Sequence, residues 1–250
     1  MKICFIDSGV GGYITYLSFC EEFIKKNMSN ARKSKIFVGF NSQNGVKNNS
    51  INKKNDKNQK TSVELFYFAD ALNSPYGAKD KKQIEKILFK LVRKLRKKYD
   101  ISVFVLACNT ATACAISKLR KTFKNNKFIG VEPAIKPAIA TSGKVLVMLT
   151  SGTYFYSKYV RQYLSNADIY FLPLTNLAKE IDLHLKDEKY LSTITEKILF
   201  PFIDKGINKV VLGCTHYNFL IPHIKKIFPN TTFFEASNAV AKRTLALINE

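Results

Sequence analysis

Two of the five cysteines in the 250-residue chain stand in matching local sequences. Residues 103–110 align with residues 209–216, and each stretch is a β-branched run, a small residue, a cysteine and polar residues that open a helix-like segment. Cys108 and Cys214 therefore fall at corresponding strand ends. A thiol is only a few per cent ionised at neutral pH, and a helix N-terminus or a nearby cation increases that fraction. Cys214 also has His216 two residues further on.

Two opposed acid–base groups are what the inversion of a stereocentre requires. One group removes a proton from carbon, and the other returns a proton to the opposite face. Because a proton next to a carboxylate is weakly acidic, the site must also stabilise the developing carbanion. Two thiols that face each other across a cleft would meet the first need. Amide and hydroxyl donors would meet the second, and the candidates are Asp7, Ser8, Gly9, Asn109, Thr110, Thr153 and Thr215.

The segment 7–12 reads Asp-Ser-Gly-Val-Gly-Gly and follows the first apolar run. It departs from the dinucleotide-binding pattern because Ile14 stands where the third glycine belongs, and the Gly-Lys-Ser/Thr ending of a phosphate loop is absent. We interpret the segment as a turn whose backbone amides bind a carboxylate. Asp7 either orients a proton or a substrate ammonium, or it caps the following helix.

Strand-length apolar runs alternate with helix-like stretches along the chain. The predicted strands are 3–6, 63–68, 102–106, 128–131, 145–149, 169–172, 210–212 and 231–234. Between two of them, residues 81–99 carry apolar side chains at helical spacing. This alternation predicts an α/β fold with mainly parallel sheets.

A second, looser match aligns residues 2–9 with residues 144–153. Two strand–turn pairs repeated in the same order predict two similar α/β domains, each with one of the paired cysteines. The predicted first domain is 1–134 plus 238–250, and the second is 135–237. Because ligands of open α/β sheets bind at the carboxyl ends of the strands, we expect the active site in the cleft between the domains. Chance recurrence of a strand followed by a cysteine is the alternative.

The formal net charge is +21, from 40 Lys and Arg against 19 Asp and Glu. Such an excess is typical of proteins that bind nucleic acids or membrane surfaces. Most of it lies in three segments, 79–98 with +8, 118–127 with +5 and 41–62 with +4. Only six of the basic residues are Arg, and aromatic residues are not interleaved with them. We therefore expect a solvated, lysine-rich surface and no dedicated nucleic-acid site.

The segment 41–62 contains seven Asn and five Lys, and we predict that it is a mobile surface insertion. No apolar run reaches the roughly 18–20 residues that span a bilayer, and the N-terminal residues lack the apolar region of a signal peptide. The expected location is the cytoplasm, with no membrane partner. The cysteines form no CxxC pair, so no metal site is expected.

Six motifs resemble, in the same order, those of the cofactor-independent glutamate racemases of the aspartate/glutamate racemase family. They extend from the start of the chain to about residue 217 and comprise 5–12 (FIDSGVGG), Asp70 with 75–77 (PYG), 107–111 (ACNTA), 130–133 (GVEP), 150–153 (TSGT) and 213–217 (GCTHY). The resemblance implies an enzyme that interconverts L- and D-glutamate without a cofactor and supplies D-glutamate for peptidoglycan. Glutamate is then the expected partner, and we also expect a homodimer.

By this resemblance, Cys108 and Cys214 are the two acid–base thiols, assisted by Asp7 and His216. The implied substrate contacts are Asp7, Ser8, Tyr76, Gly77, Asn109, Thr110, Thr153, Thr215 and His216. Many members carry a glutamate after Pro173-Leu174 that assists one of the thiols, whereas Thr175-Asn176 follow here. Either Glu180 takes this role or the site works without that carboxylate.

Three alternatives stay open from the sequence. A racemase of aspartate or another acidic amino acid would use the same cysteine pair. A basic nucleic-acid-binding protein on an inert racemase fold would bind DNA or RNA in a salt-dependent manner and show no turnover. A cysteine hydrolase would pair Cys214 with His216 and leave Cys108 without a role.

Overall fold

Two parallel β-sheets form the framework of the protein. The computed structural model describes residues 1–9, 11–26, 35–40 and 63–248. The strands of the first sheet are β1 (Lys2–Asp7), β2 (Lys35–Phe40), β3 (Glu64–Ala69), β4 (Val103–Leu106) and β5 (Lys127–Gly130). Those of the second sheet are β6 (Lys144–Thr150), β7 (Ile169–Leu174), β8 (Ile207–Gly213) and β9 (Thr232–Phe234).

Helices follow most of these strands. The α-helices are α1 (Tyr13–Lys26), α2 (Lys81–Tyr99), α3 (Asn109–Thr122), α4 (Ile135–Ala138), α5 (Ser151–Tyr156), α6 (Lys158–Arg161), α7 (Leu177–Leu183), α8 (Glu188–Leu199), α9 (Ile221–Ile227) and α10 (Ser237–Ile248). Short 3₁₀ helices cover Ala71–Asn73, Tyr76–Ala78, Phe200–Lys205 and Thr215–Leu220. No helix in these described stretches is long and apolar enough to cross a membrane.

The two sheets share one topology. The first has the order β2-β3-β1-β4-β5 and the second the order β7-β6-β8-β9, and every observed strand pair is parallel. Apart from β2, each sheet places its strands in the order second, first, third, fourth along the chain. The predicted α/β class and the predicted internal repeat are therefore both confirmed. In each sheet the strand order reverses between the first and third of these strands. Ligands of open α/β sheets bind at such a point, beyond the carboxyl ends of the strands.

All eight predicted strands coincide with observed ones, and the helix predicted over 81–99 is α2. An Asp80–Gln83 capping box starts that helix, and Asp100 ends it in the left-handed conformation with φ 53°. Strand β2 was not predicted, although its sequence is an apolar run. The predicted insertion at 41–62 lies outside the described residues.

Apolar side chains cover both faces of each sheet. On the first sheet, Ile6 and Phe104 face α2 and α3, while Phe5 and Val105 face α1 and α10. Helix α10 thus returns the end of the described chain to the first sheet, beside α1. The second sheet is enclosed in the same way by two further clusters. The domain limits at 134/135 and 237/238 stay a prediction.

Candidate active site

The ends of four strands deliver the candidate residues to one place. In the first sheet Ile6 lies beside Leu106, so Asp7 and Cys108 leave the sheet at neighbouring positions. In the second sheet Leu149 lies beside Gly213, so Thr150 and Cys214 leave it in the same way. One cavity is lined from both sides by Ser8, Pro75, Gly77, Cys108, Asn109, Thr110, Thr150, Ala178, Gly213, Cys214, Thr215 and His216. The structure thus brings the two matched cysteines together.

Cys108 occupies the N-cap position of α3, and the residue is 8% exposed. Its Sγ atom lies 3.8 Å from the Ser8 hydroxyl. Burial raises the pKa of the Cys108 thiol well above its usual range, and the negative charge of Asp7 adds to that shift. The amide of Ala111 lowers this pKa, as expected at a helix N-terminus, but burial outweighs its effect. The thiolate form of Cys108 is therefore disfavoured at this buried position.

Asp7 is buried behind the cavity. Its Oδ2 atom accepts hydrogen bonds from the amides of Gly9 at 3.0 Å and Gly12 at 3.1 Å. Burial raises the pKa of Asp7, whereas the nearby His216 and the backbone amides lower it. The amides of Gly9 and Gly12 therefore hold Asp7 and are not free for a ligand, which corrects the expectation from the sequence for these two amides. The Oδ1 atom is buried and meets no hydrogen-bond partner within the described part of the chain.

The Pro75–Gly77 turn approaches the cavity from the first sheet. Gly77 lies so close to the second sheet that a Cβ atom there would be 2.7 Å from Cβ of Thr150. Tyr76 is fully buried, and its hydroxyl donates to Oδ2 of Asp70 at 2.7 Å. Asn73 Nδ2 also donates to both Asp70 oxygens at 2.9 Å. The Tyr76 side chain thus anchors the turn away from the cavity, while Gly77 lines it.

Three threonine hydroxyls join the two sheets. The Oγ1 atom of Thr110 lies 2.8 Å from that of Thr150 and 3.2 Å from that of Thr153. The hydroxyls of Thr150 and Thr153 are 2.9 Å apart, and Thr150 also caps α5 by accepting from the Thr153 amide. Thr150 was not among the predicted site residues. The internal repeat could have indicated it, because the repeat aligns Thr150 with Asp7, which was a predicted site residue.

His216 lies between a thiol and a carboxylate. Its Nδ1 atom is 3.9 Å from Sγ of Cys214, and its Nε2 atom is 3.2 Å from Oδ1 of Asp182. Burial by itself lowers the pKa of His216. The neighbouring Asp182, Cys214 and Asp7 outweigh that effect and raise this pKa well above its usual value. The imidazole can therefore receive a proton in a buried setting.

The predicted site residues divide into two groups. Eight of them line the cavity, and these are Ser8, Gly77, Cys108, Asn109, Thr110, Cys214, Thr215 and His216. Asp7, Tyr76 and Thr153 stand behind these residues. Glu180, the suggested replacement for the family glutamate, instead accepts a hydrogen bond from the Tyr190 hydroxyl at 2.6 Å.

Comparison with known proteins agrees with this architecture. Residues 48–242 match the family of Asp/Glu/Hydantoin racemases, and the chain belongs to that family. It is 35% identical over 169 residues to the glutamate racemase of Clostridium novyi (strain NT), and the aligned region covers 66% of this chain and 65% of that protein. It is 37% identical over 199 residues to the glutamate racemase of Aliarcobacter butzleri (strain RM4018), and the aligned region covers 75% of this chain and 75% of that protein. The match to the Clostridium novyi protein thus spans just under two thirds of its length.

Solved structures of glutamate racemases share the fold. The Escherichia coli enzyme in complex with L-glutamate and the activator UDP-MurNAc-ala superposes with a TM-score of 0.73 and 24% identity, and covers 100% of this chain and 82% of its own. The Aquifex pyrophilus enzyme superposes with a TM-score of 0.67 and 26% identity, and covers 100% and 83% respectively. The two-sheet arrangement is therefore that of known glutamate racemases.

Proposed function

We propose that the protein is a cofactor-independent glutamate racemase in which Cys108 and Cys214 form the acid–base pair. The observation that carries this proposal is the position of the two thiols. They follow equivalent strands of two equivalent sheets and line one cavity from opposite sides. Two relatives more than 30% identical are glutamate racemases, which favours glutamate over aspartate as the substrate.

In the proposed reaction, a thiolate on one side of the cavity takes the α-proton of glutamate. The electron pair of the broken C–H bond stays on the α-carbon and is delocalised into the adjacent carboxylate. The thiol on the other side then donates its proton to the opposite face, which forms the enantiomer and leaves a new thiolate. The reverse reaction uses the same groups in exchanged roles.

The surrounding groups supply the charge stabilisation that this step needs. The Ser8, Thr110 and Thr215 side chains and the Asn109 amide can donate to the substrate carboxylates. Asp7 stands behind these residues, where its carboxylate acts on Cys108 and His216 through its charge. His216 accepts the proton of Cys214 when that thiol must act as the base.

The biological role in this proposal is the supply of D-glutamate for peptidoglycan. A cytoplasmic location and a homodimer remain predictions from the sequence.

Racemisation assays on the purified protein test the proposal. L-Glutamate should lose its optical rotation and exchange its α-hydrogen for deuterium in D₂O, without added cofactor. D-Glutamate should do the same, whereas L-aspartate should react much more slowly. A preference for aspartate would support the related racemase instead. The absence of turnover with every acidic amino acid, together with nucleic-acid binding that persists at physiological salt, would favour the inert-fold alternative.

A further inference from the structure

We propose that Asp182 is a positioning residue that holds His216 in the orientation and charge state needed to serve Cys214. This inference rests on the proposed function, because it assigns the residue to the same reaction. The carboxylate, the imidazole and the thiol form one series across the second half of the site. The contacts of 3.2 Å and 3.9 Å are made by opposite nitrogens of the ring.

The course of α7 explains how Asp182 reaches this place. Ala178 of the same helix lines the cavity, and Asp182 stands four residues later, so the two share one face of the helix. Leu177 and Ile181 are buried in the core of the second sheet and fix the rotation of α7. The helix packs against the 3₁₀ helix Thr215–Leu220, which carries His216. Asp182 is therefore held beside the imidazole by the fold.

The burial of the ring makes a neighbouring carboxylate effective. The His216 side chain is 2% exposed and that of Asp182 is 33% exposed. The ring is also confined by the turn that follows β1, because a Cβ atom on Gly9 would lie 2.9 Å from Nε2. The Nε2–Oδ1 contact is at ion-pair distance without the alignment of a hydrogen bond. Attraction between charges depends on their separation, so the carboxylate still stabilises a positive imidazole.

The expected chemical effect follows from the two ring nitrogens. A carboxylate beside Nε2 favours a ring that keeps a proton on that nitrogen, so Nδ1 is the nitrogen that exchanges a proton with Cys214. The same carboxylate stabilises the imidazolium that results. Asp7 faces the ring from β1 and acts in the same direction, while Cys214 faces it from the end of β8. Loss of Asp182 should therefore weaken Cys214 as a base without abolishing it.

Glu180 offers a matched control. It lies two residues before Asp182 on α7, and its carboxylate is bonded to Tyr190 of α8 rather than directed at His216. Glu180→Gln removes the same charge from the same helix as Asp182→Asn does. A difference between the two variants therefore reports the contact with His216 and not the general field of α7.

The experiment measures racemisation in both directions with ordinary and α-deuterated glutamate. The two enantiomers have equal free energy, so kcat/KM must be the same for both in any variant. In Asp182→Asn it should fall about 10-fold or more, and in Glu180→Gln it should stay near the wild-type value. The primary isotope effect in Asp182→Asn should rise for the enantiomer whose proton Cys214 removes and fall for the other. Asp182→Glu should recover part of the activity.

Several results would overturn the assignment. Wild-type kinetics in Asp182→Asn would overturn it. An equal loss of kcat/KM in Glu180→Gln and in Asp182→Asn would overturn it as well. A loss of activity with unchanged isotope effects for both enantiomers would point to a purely structural role. NMR titration of His216 gives a readout that does not depend on turnover, because its pKa should fall in Asp182→Asn and not in Glu180→Gln. If the wild-type protein racemises nothing, the proposed function fails, and this titration still tests the Asp182–His216 contact.

Discussion

The hydroxyl of Tyr76 is expected to stabilise the turn that carries Gly77 into the cavity. It donates to a buried carboxylate, since Asp70 is 1% exposed and the donor–acceptor distance is 2.7 Å. A hydrogen bond to a charged group contributes about 1.5–3 kcal/mol. Asp70 keeps two hydrogen bonds from Asn73 when the hydroxyl is removed. Tyr76→Phe should therefore lower the free energy of unfolding by about 1.5–2 kcal/mol, near the lower end of that range.

Thermal and urea unfolding measure this loss directly. For a chain of this size, 1.5–2 kcal/mol corresponds to a fall in melting temperature of about 3–8 °C. Activity should change mainly through KM, because the turn positions Gly77 at the cavity and neither thiol is touched. Tyr156→Phe is the matched control, since its ring packs against the same apolar cluster and its hydroxyl is not part of the Asp70 network.

A double-mutant cycle with Asp70→Asn separates the hydrogen bond from other effects. In the Asp70→Asn background the hydroxyl meets a neutral partner, so its removal should cost only about 0.5–1.5 kcal/mol. The same cost in both backgrounds would refute the assigned charge-assisted bond. A change below about 0.5 kcal/mol for Tyr76→Phe alone would refute it as well.

Three further outcomes follow from the structure. Gly12→Ala would place a Cβ atom 2.5 Å from Cβ of Asp7. Urea unfolding should therefore show a free energy of unfolding lower by about 1–3 kcal/mol, and racemisation should be slower. Wild-type stability together with wild-type activity would contradict the tight fit. The folded pKa of His216 is raised, so its stabilising contribution is complete below about pH 6.5 and is lost as the pH rises through the folded value. Urea unfolding across that range should therefore show a steeper decline for the wild type than for His216→Asn, and equal slopes would argue against the raised pKa. Association with duplex DNA should be weak and should vanish near 150 mM salt, as filter binding or fluorescence anisotropy can show; binding that persists would restore the nucleic-acid alternative.

Local sequence features predicted much of the fold. Apolar runs identified the strands that frame the site, and the helical spacing of apolar residues identified α2. The repeat around Cys108 and Cys214 predicted that both thiols leave equivalent strands. These features are local, so they can be recognised before the tertiary structure is known.

Contacts between distant elements could not be predicted in this way. Helical spacing places Ala178 and Asp182 on one face, but it does not show that His216 lies opposite. The anchoring of Tyr76 by Asp70 likewise depends on how the turn packs against the end of β3. The ionisation of Cys108 could not be predicted either. The helix N-terminus lowers the pKa of this thiol, but burial in the folded protein raises it by more.

The central claim is that one of Cys108 and Cys214 removes the α-proton and the other returns a proton to the opposite face. Racemisation of L- and D-glutamate by Cys108→Ala and Cys214→Ala, compared with Cys114→Ala, tests it most directly. Cys114 is a matched control because it is buried in α3, the helix that Cys108 caps, and is not among the residues that line the cavity. Each of the first two variants should lose racemisation by at least about 100-fold, the contribution expected of a positioned acid or base, while Cys114→Ala stays near the wild-type rate. Racemisation near the wild-type rate in either Cys108→Ala or Cys214→Ala would contradict the two-thiol mechanism.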